Sequence, residues 1–188
     1  MTDPSARRAR IFDALALLIA VVVIALDQWT KMLVVETFSP PNRGDSFSLI
    51  GPYLVVDYIR NSGAAFSLLA NNVFLAVLIA IAFVVITYLY MRILNSGPLQ
   101  YKLIFGLIIG GALGNLIDRA RNGGYVVDFI SFRIPQIGYY FAIFNVADAC
   151  ISVGVFLLFI FILFGGLRHS GDEKKSMGST SNETFSNK

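Results

Sequence analysis

Apolar runs long enough to cross a bilayer recur four times in this 188-residue chain, and they constrain its fold more than any other feature. The first runs from Ile11 to Leu26, broken only by Asp13, and continues as Asp27-Gln28-Trp29-Thr30-Lys31-Met32-Leu33-Val34-Val35. The second covers about Val73 to Met91, the third about Leu99 to Ile117 and the fourth about Phe144 to Phe164. A span needs about 20 mostly apolar residues at about 1.5 Å of rise each, so all four qualify. With 56% hydrophobic and 14% charged residues, the chain is too apolar for a soluble domain of its size. The expected fold class is membrane all-α: four transmembrane helices with a small extracytoplasmic β element and a second outer loop.

Arg7, Arg8 and Arg10 precede the first span and place the N-terminus in the cytoplasm. No small-residue cleavage site follows that span, so it reads as an uncleaved anchor rather than a signal peptide. The expected layout is a cytoplasmic N-terminus (1–10), a four-span membrane domain (11–168) and a polar, disordered cytoplasmic tail (169–188). Arg92, Lys102 and Arg168 support this orientation, whereas Arg119, Arg121 and Arg133 fall outside against the usual charge bias. The net charge of +3 fits membrane orientation; no basic groove interleaved with aromatics points to nucleic acid. Cys150, the single cysteine, reads as a small buried apolar residue.

Between Phe38 and Ser67, turn signals at Pro40-Pro41-Asn42-Arg43-Gly44 and Gly51-Pro52 bracket Ser46 to Ile50 and precede Tyr53 to Ile59, both β-prone. These predict a small sheet or hairpin resting on the membrane. Asn122-Gly123-Gly124 predicts a rather loose turn, followed by a strand or amphipathic piece from Tyr125 to Phe132. Phe129, Phe132, Tyr139, Tyr140 and Phe141 suit an interfacial aromatic belt. Gly106, Gly110 and Gly114 share one helix face and predict close helix packing.

Helical rise then places the polar residues. Asp27 lies roughly 24 Å beyond Ile11 and Asp118 roughly 28 Å beyond Leu99, both near the outer edge of a ~30 Å hydrocarbon core. Asp148 enters the first turns of a helix descending from outside, and Asn61 to Ser67 precede the second span. These clusters converge on one level, the outer membrane face. Asp27 with Lys31 and Asp118 with Arg119 read most simply as interfacial ion pairs, and Asn115 and Asn145 as interhelical hydrogen bonds. Asp128 and Asp148 are harder to explain structurally, because neither has a cation within four residues.

The catalytic inventory is short. The only histidine, His169, lies on the cytoplasmic side, which removes Ser-His-Asp and Cys-His sites; no zinc-ligand pattern exists. A serine with Lys31 as base, drawing on Ser62 or Ser67, is a minor option. Paired carboxylates remain. Asp128 facing Asp148 in a partly dry site would share one proton, so that one activates water while the other polarises a peptide carbonyl. Such a site needs neither metal nor cofactor. A small proton-coupled transporter is the alternative, but its acids belong near the midplane between inverted repeats.

Five motifs in order add a resemblance: Asp27-Gln28-x-x-Lys31, Asn61-x-Gly63-Ala64-Ala65-Phe66-Ser67, Gly110-Gly111-Ala112-x-Gly114-Asn115-x-x-Asp118-Arg119, Val126-Val127-Asp128-Phe129 and Phe144-Asn145-x-Ala147-Asp148. Together the chain resembles the bacterial lipoprotein signal peptidases, the type II signal peptidases. The resemblance implies an aspartic endopeptidase of the bacterial cytoplasmic membrane that removes signal peptides before a diacylglyceryl-modified cysteine. It implies Asp128 and Asp148 as catalytic residues, supported by Asp27, Lys31, Asn61, Gly63, Asn115, Asp118, Arg119 and Asn145. It also implies prolipoprotein substrates, contact with membrane lipids and inhibition by globomycin-type cyclic peptides.

Overall fold

The computed structural model describes residues 4–41, 45–62 and 99–163. The chain divides into two compact units, 1–154 and 155–188. Of the second, residues 155–163 are described; they are helical, with Val155, Phe156, Phe159 and Ile162 exposed. The first unit carries everything that follows. The expected second span, Gly63, Ser67 and the C-terminal tail lie outside the described residues.

Among the described residues, three helices are long and apolar enough to cross a membrane: α1 (Pro4–Phe38), α2 (Leu99–Arg121) and α3 (Val146–Leu163). Helix α1 starts at Pro4, earlier than the span expected from Ile11, because Ser5 to Arg10 hold nothing that breaks a helix. Its 35 residues extend about 52 Å, well beyond a ~30 Å hydrocarbon core. Leu17, Leu18, Val21 and Val22 of α1 are exposed, as lipid-facing residues should be, while Ala16, Ala20 and Val23 are buried against α2.

The glycine stripe packs as expected. A Cβ on Gly106 would lie 2.6 Å from the Ala16 carbonyl oxygen, and one on Gly110 would lie 2.9 Å from that of Ala20. Gly114 instead makes room for the Asp27 carboxylate, whose Oδ2 would lie 2.6 Å from an added Cβ, so α1 and α2 rise together as a parallel pair. Gly111, on another face, meets the Ala147 carbonyl at 2.5 Å and brings α3 in antiparallel, with Gly154 against Ile108. Only glycine lets backbones approach this closely.

Residues 46–61 and 126–140 join one antiparallel sheet of order β1-β2-β3-β4, so the small sheet expected of the first segment extends to the second. Its strands are β1 (Ser46–Ile50), β2 (Leu54–Asn61), β3 (Val126–Ile134) and β4 (Tyr139–Tyr140), with a 3-10 turn at Pro135–Ile137. The described residues therefore form a membrane-type fold of three apolar helices with the expected β element enlarged into a four-stranded sheet. The Tyr125 to Phe132 stretch forms a strand from Val126 because β2 offers it a ladder, interrupted by one bulge, from Leu54↔Phe132 to Asn61↔Val126.

A hydrophobic cluster of Val34, Tyr58, Val127 and Phe129 docks this sheet on the C-terminal part of α1. Burial of each such side chain contributes about 1.5–3 kcal/mol. Phe129 is thus a core residue, not part of an aromatic belt; Phe132, Tyr139, Tyr140 and Phe141 are exposed. Strand alternation sends Asp128 to the face opposite Val127 and Phe129. A bulge in β2, between Val56↔Ile130 and Ile59↔Asp128, keeps Asn61 on the Asp128 face.

Candidate active site

Helix α2 runs to Arg121, so Asp118 and Arg119 belong to its last turn instead of following it. The turn beyond is well defined, contrary to the looseness expected of Gly123-Gly124. Gly123 and Gly124 have φ of 67° and 106°, and the Gly124 N–H donates to the Arg119 carbonyl at 2.9 Å. This closes the helix and turns the chain directly into β3. Farther on, the Phe144 N–H donates to the Ile130 carbonyl at 3.1 Å, while the Phe144 carbonyl accepts from Phe129 and Ile130. The loop after β3 is thereby pinned beside Asp128, and Asn145 follows at once.

Asn145 is the N-cap of α3. Its Oδ1 accepts the Asp148 N–H at 2.9 Å, and its own N–H donates to Asp148 Oδ2 at 3.3 Å. This reciprocal pair is a capping box, with Asn and Asp in place of the commoner Ser or Thr and Glu. The Asn145 side-chain nitrogen meanwhile donates to Asp128 Oδ1 at 2.7 Å, to Asn115 Oδ1 at 3.2 Å and to the Val127 carbonyl at 3.3 Å. One fully buried side chain therefore links both aspartates. Asn61 donates to Asp128 Oδ2 at 2.8 Å and Asn115 to Asp148 Oδ1 at 2.7 Å. Each of the four carboxyl oxygens accepts one of these bonds and keeps a second lone pair for substrate, water or a proton.

A second layer fixes the backbone beneath the aspartates. Lys31 bridges Asp27 at 2.8 Å and Asp118 at 3.1 Å and donates to Asn115 Oδ1 at 3.0 Å. Asp27 accepts the Ala147 N–H at 3.0 Å, and Asp118 accepts the Val127 N–H at 2.9 Å. Each carboxylate paired with Lys31 thus holds the residue immediately before one of the two central aspartates. The Asp27–Lys31 pair matches expectation. Asp118 bonds Lys31 and Gln28 rather than forming the expected pair with Arg119, because its helix face meets α1. Arg119 lies on the other side, within electrostatic range of Asp148, Asp128 and Asp118, and donates to the Asn115 carbonyl at 3.4 Å. Lys31 spends its three donors on Asp27, Asp118 and Asn115, and among the described residues it makes no contact with a serine, which weakens the serine–lysine option.

Sequence reasoning left Gln28 out of the site. Its amide nitrogen donates to Asp118 Oδ1 at 2.8 Å and to the Gly114 carbonyl at 3.2 Å. Its place beside Asp27 in a polar break of an apolar helix was the available signal. The roles of the Val127 and Ala147 N–H groups had no side-chain signal at all.

Burial pushes the Asp128 carboxyl up to about 6 from its ordinary 3.8; the Asn61 hydrogen bond opposes this, the Asp148 charge adds to it, and Asn145 and Lys31 oppose. A carboxyl raised in this way stabilises the fold fully below about pH 3.8. That contribution is lost as pH rises through about 6, a difference on the order of 3 kcal/mol. Thermal unfolding from about pH 4 to about pH 8 should show this loss in the wild type and a flatter profile in Asp128→Asn.

The sequence profile of the signal peptidase (SPase) II family matches residues 19–164, which include every one of these side chains. The chain belongs to the signal peptidase II family. It is 40% identical over 156 residues to the lipoprotein signal peptidase of Geobacillus thermodenitrificans, covering 83% of this chain and 94% of the relative. The lipoprotein signal peptidase of Moorella thermoacetica is 41% identical over 144 residues, covering 76% and 88%. A solved bacterial membrane enzyme, determined by the in meso method at 1.9 Å resolution, superposes with a TM-score of 0.68 at 36% identity, covering 79% of this chain and 92% of its own. Signal peptidases II remove signal peptides from prolipoproteins, and this family member is a multi-pass bacterial membrane peptidase of aspartic type.

Proposed function

We propose that Asp128 and Asp148 are the catalytic dyad with which this peptidase hydrolyses the bond before a diacylglyceryl-modified cysteine. The observation that carries this is their linkage through Asn145, with each carboxyl oxygen retaining a free lone pair. Asp128, the deeply buried member, holds the shared proton; Asp148, open toward Arg119, is the base. Asp148 takes a proton from water as the water oxygen attacks the scissile carbonyl carbon. Asp128 donates its proton to the carbonyl oxygen. Collapse of the tetrahedral intermediate breaks the C–N bond, and the departing amine takes a proton from the dyad. Asn115, Asn145 and Asn61 position the carboxyls, and Arg119 offers a cation to substrate carbonyl or headgroup oxygens.

The parallel rise of α1 and α2 supports four spans, since a chain crossing twice in one direction must return between them. The apolar run from about Val73 to Met91, outside the described residues, is the segment we assign to that crossing. Both termini are then cytoplasmic and the dyad faces outward, where globomycin-type peptides would occupy the same site. The exposed lysine-free rim of Phe132, Tyr139, Tyr140 and Phe141 suits contact with lipid headgroups. A transporter reading has no support, because Asp128 and Asp148 are held in place by asparagine side chains and Asp27 and Asp118 by backbone amides.

The test is a substrate pair. Purified enzyme in micelles should cleave a diacylglyceryl-modified precursor at the single bond before the modified cysteine and leave its unlipidated counterpart intact. Equal rates on the two would remove the lipid from the recognition scheme.

A further inference from the structure

A cleft of about 250 Å³ opens between the outer ends of α1 and α2, lined chiefly by Gln28, Met32, Val35, Glu36, Arg121 and Asn122. We propose that it binds the headgroup of a zwitterionic aminophospholipid, with the phosphate on Arg121 and the ammonium on Glu36. The cleft is separate from the dyad. Val127 forms part of its wall, and strand alternation directs the neighbouring Asp128 to the opposite face of β3.

Three features select this ligand. First, Glu36 and Arg121 are both exposed charged ends of the cleft; among the described residues no ion pair engages Glu36, and Arg121 makes a single long contact, to Gln28 Oε1 at 3.4 Å. Second, the charged lining sums to zero. Lys31 and Asp118 at the base bond each other, leaving Arg121 and Glu36 as a separated positive and negative pair. A net-neutral ligand with its own separated charges complements that arrangement, whereas an anionic headgroup would meet Glu36 without compensation. Third, the depth is right. Glu36 lies nine residues, about 13 Å, beyond Asp27, which puts it in the headgroup layer if Asp27 marks the hydrocarbon edge.

Size and surroundings agree. The volume falls below the roughly 300–1,000 Å³ usual for small-molecule sites, so it admits a headgroup but not acyl chains. Those chains would lie along Trp29, Met32 and Leu33, which are exposed on α1. Trp29 at this level is a typical interfacial anchor. The guanidinium of Arg121 supplies the forked donors that phosphate oxygens accept, with the Asn122 amide also lining the cleft.

Native mass spectrometry of the full chain, released from micelles containing equal phosphatidylethanolamine and phosphatidylglycerol, tests this without any cleavage assay. The wild type should retain phosphatidylethanolamine about fivefold or more over phosphatidylglycerol. Arg121→Gln should lower that retention about tenfold, as loss of a charge-assisted contact implies. Glu36→Gln should bring the ratio of the two lipids close to one. Displacement by soluble phosphoethanolamine only at millimolar concentration supports a membrane-held ligand; displacement at micromolar concentration overturns it in favour of a free phosphoamine. Equal retention of the two lipids by the wild type, or retention unchanged in both variants while Trp29 fluorescence reports the same unfolding temperature, overturns the site itself.

Discussion

Replacing Asp128 or Asp148 by asparagine should lower prolipoprotein cleavage by at least about a thousandfold while leaving a folded, membrane-inserted protein. General acid–base groups contribute about 10²–10⁴-fold each, and the two act as one unit, so either loss removes most of the chemistry. The fold should survive for a geometric reason. Asn61 and Asn145 both donate to Asp128, so an asparagine there satisfies one donor and meets the other with its own amide. That mismatch costs about 1–3 kcal/mol, and removal of a buried ionisable group offsets part of it at neutral pH. A gel-shift assay on a diacylglyceryl-modified precursor, with circular dichroism on the same samples, reads both effects. Turnover within about tenfold of wild type in either variant would end the dyad assignment.

Lys31→Met should produce the largest loss of stability of any single side-chain change in the site. Lys31 is 3% exposed and neutralises Asp27 and Asp118, both essentially buried. Removing one partner of a buried ion pair costs about 3–5 kcal/mol, because the remaining charge has neither water nor cation. For a chain of this size that corresponds to a fall of roughly 6–20 °C in Tm. The same change should impair catalysis, since Asp27 and Asp118 hold the N–H groups of Ala147 and Val127 next to the dyad, and Lys31 holds Asn115 against Asp148. Adding Asp27→Asn should recover part of the lost stability by deleting an uncompensated charge, at the expense of the Ala147 anchor. Differential scanning fluorimetry in micelles distinguishes these outcomes. A Tm within about 2 °C of wild type for Lys31→Met would mean that Asp27 and Asp118 have other compensation.

Much of the site was legible because membranes make depth readable. Counting residues at a fixed rise placed Asp27, Asp118 and Asp148 at one level, and the structure brings those side chains or their neighbours into one hydrogen-bonded network. The Asn145–Asp148 spacing was visible as a shared helix face, and its position just before an apolar run also fits a capping box. The spacing of Gly106, Gly110 and Gly114 gave the packing face of α2, although the sequence could not say that Gly111 would serve a second helix.

Other features depended on contacts between distant segments. The composition of Tyr125 to Phe132 allows a strand or an amphipathic piece, and only pairing with β2 made it β3 and joined the two segments in one sheet. Asp118 stands beside Arg119 in sequence yet pairs with Lys31, since adjacent helix residues point about 100° apart and α1 covers only one of those faces. Phe129 and Asp128 are neighbours with opposite fates, one in the core and one bonded to Asn61 and Asn145, because the register of a strand assigns its faces and a bulge in its partner sets that register.

The sequence by itself determined that this is a multi-span membrane protein with its polar groups gathered at one edge, because hydrocarbon tolerates few alternatives for long apolar runs and buried charges. The tertiary structure decided how Asp128, carried on a strand, and Asp148, carried at a helix start, come to share Asn145. Long-range pairing has no local code: it is set by which backbone amides and apolar faces remain unsatisfied once the helices have formed.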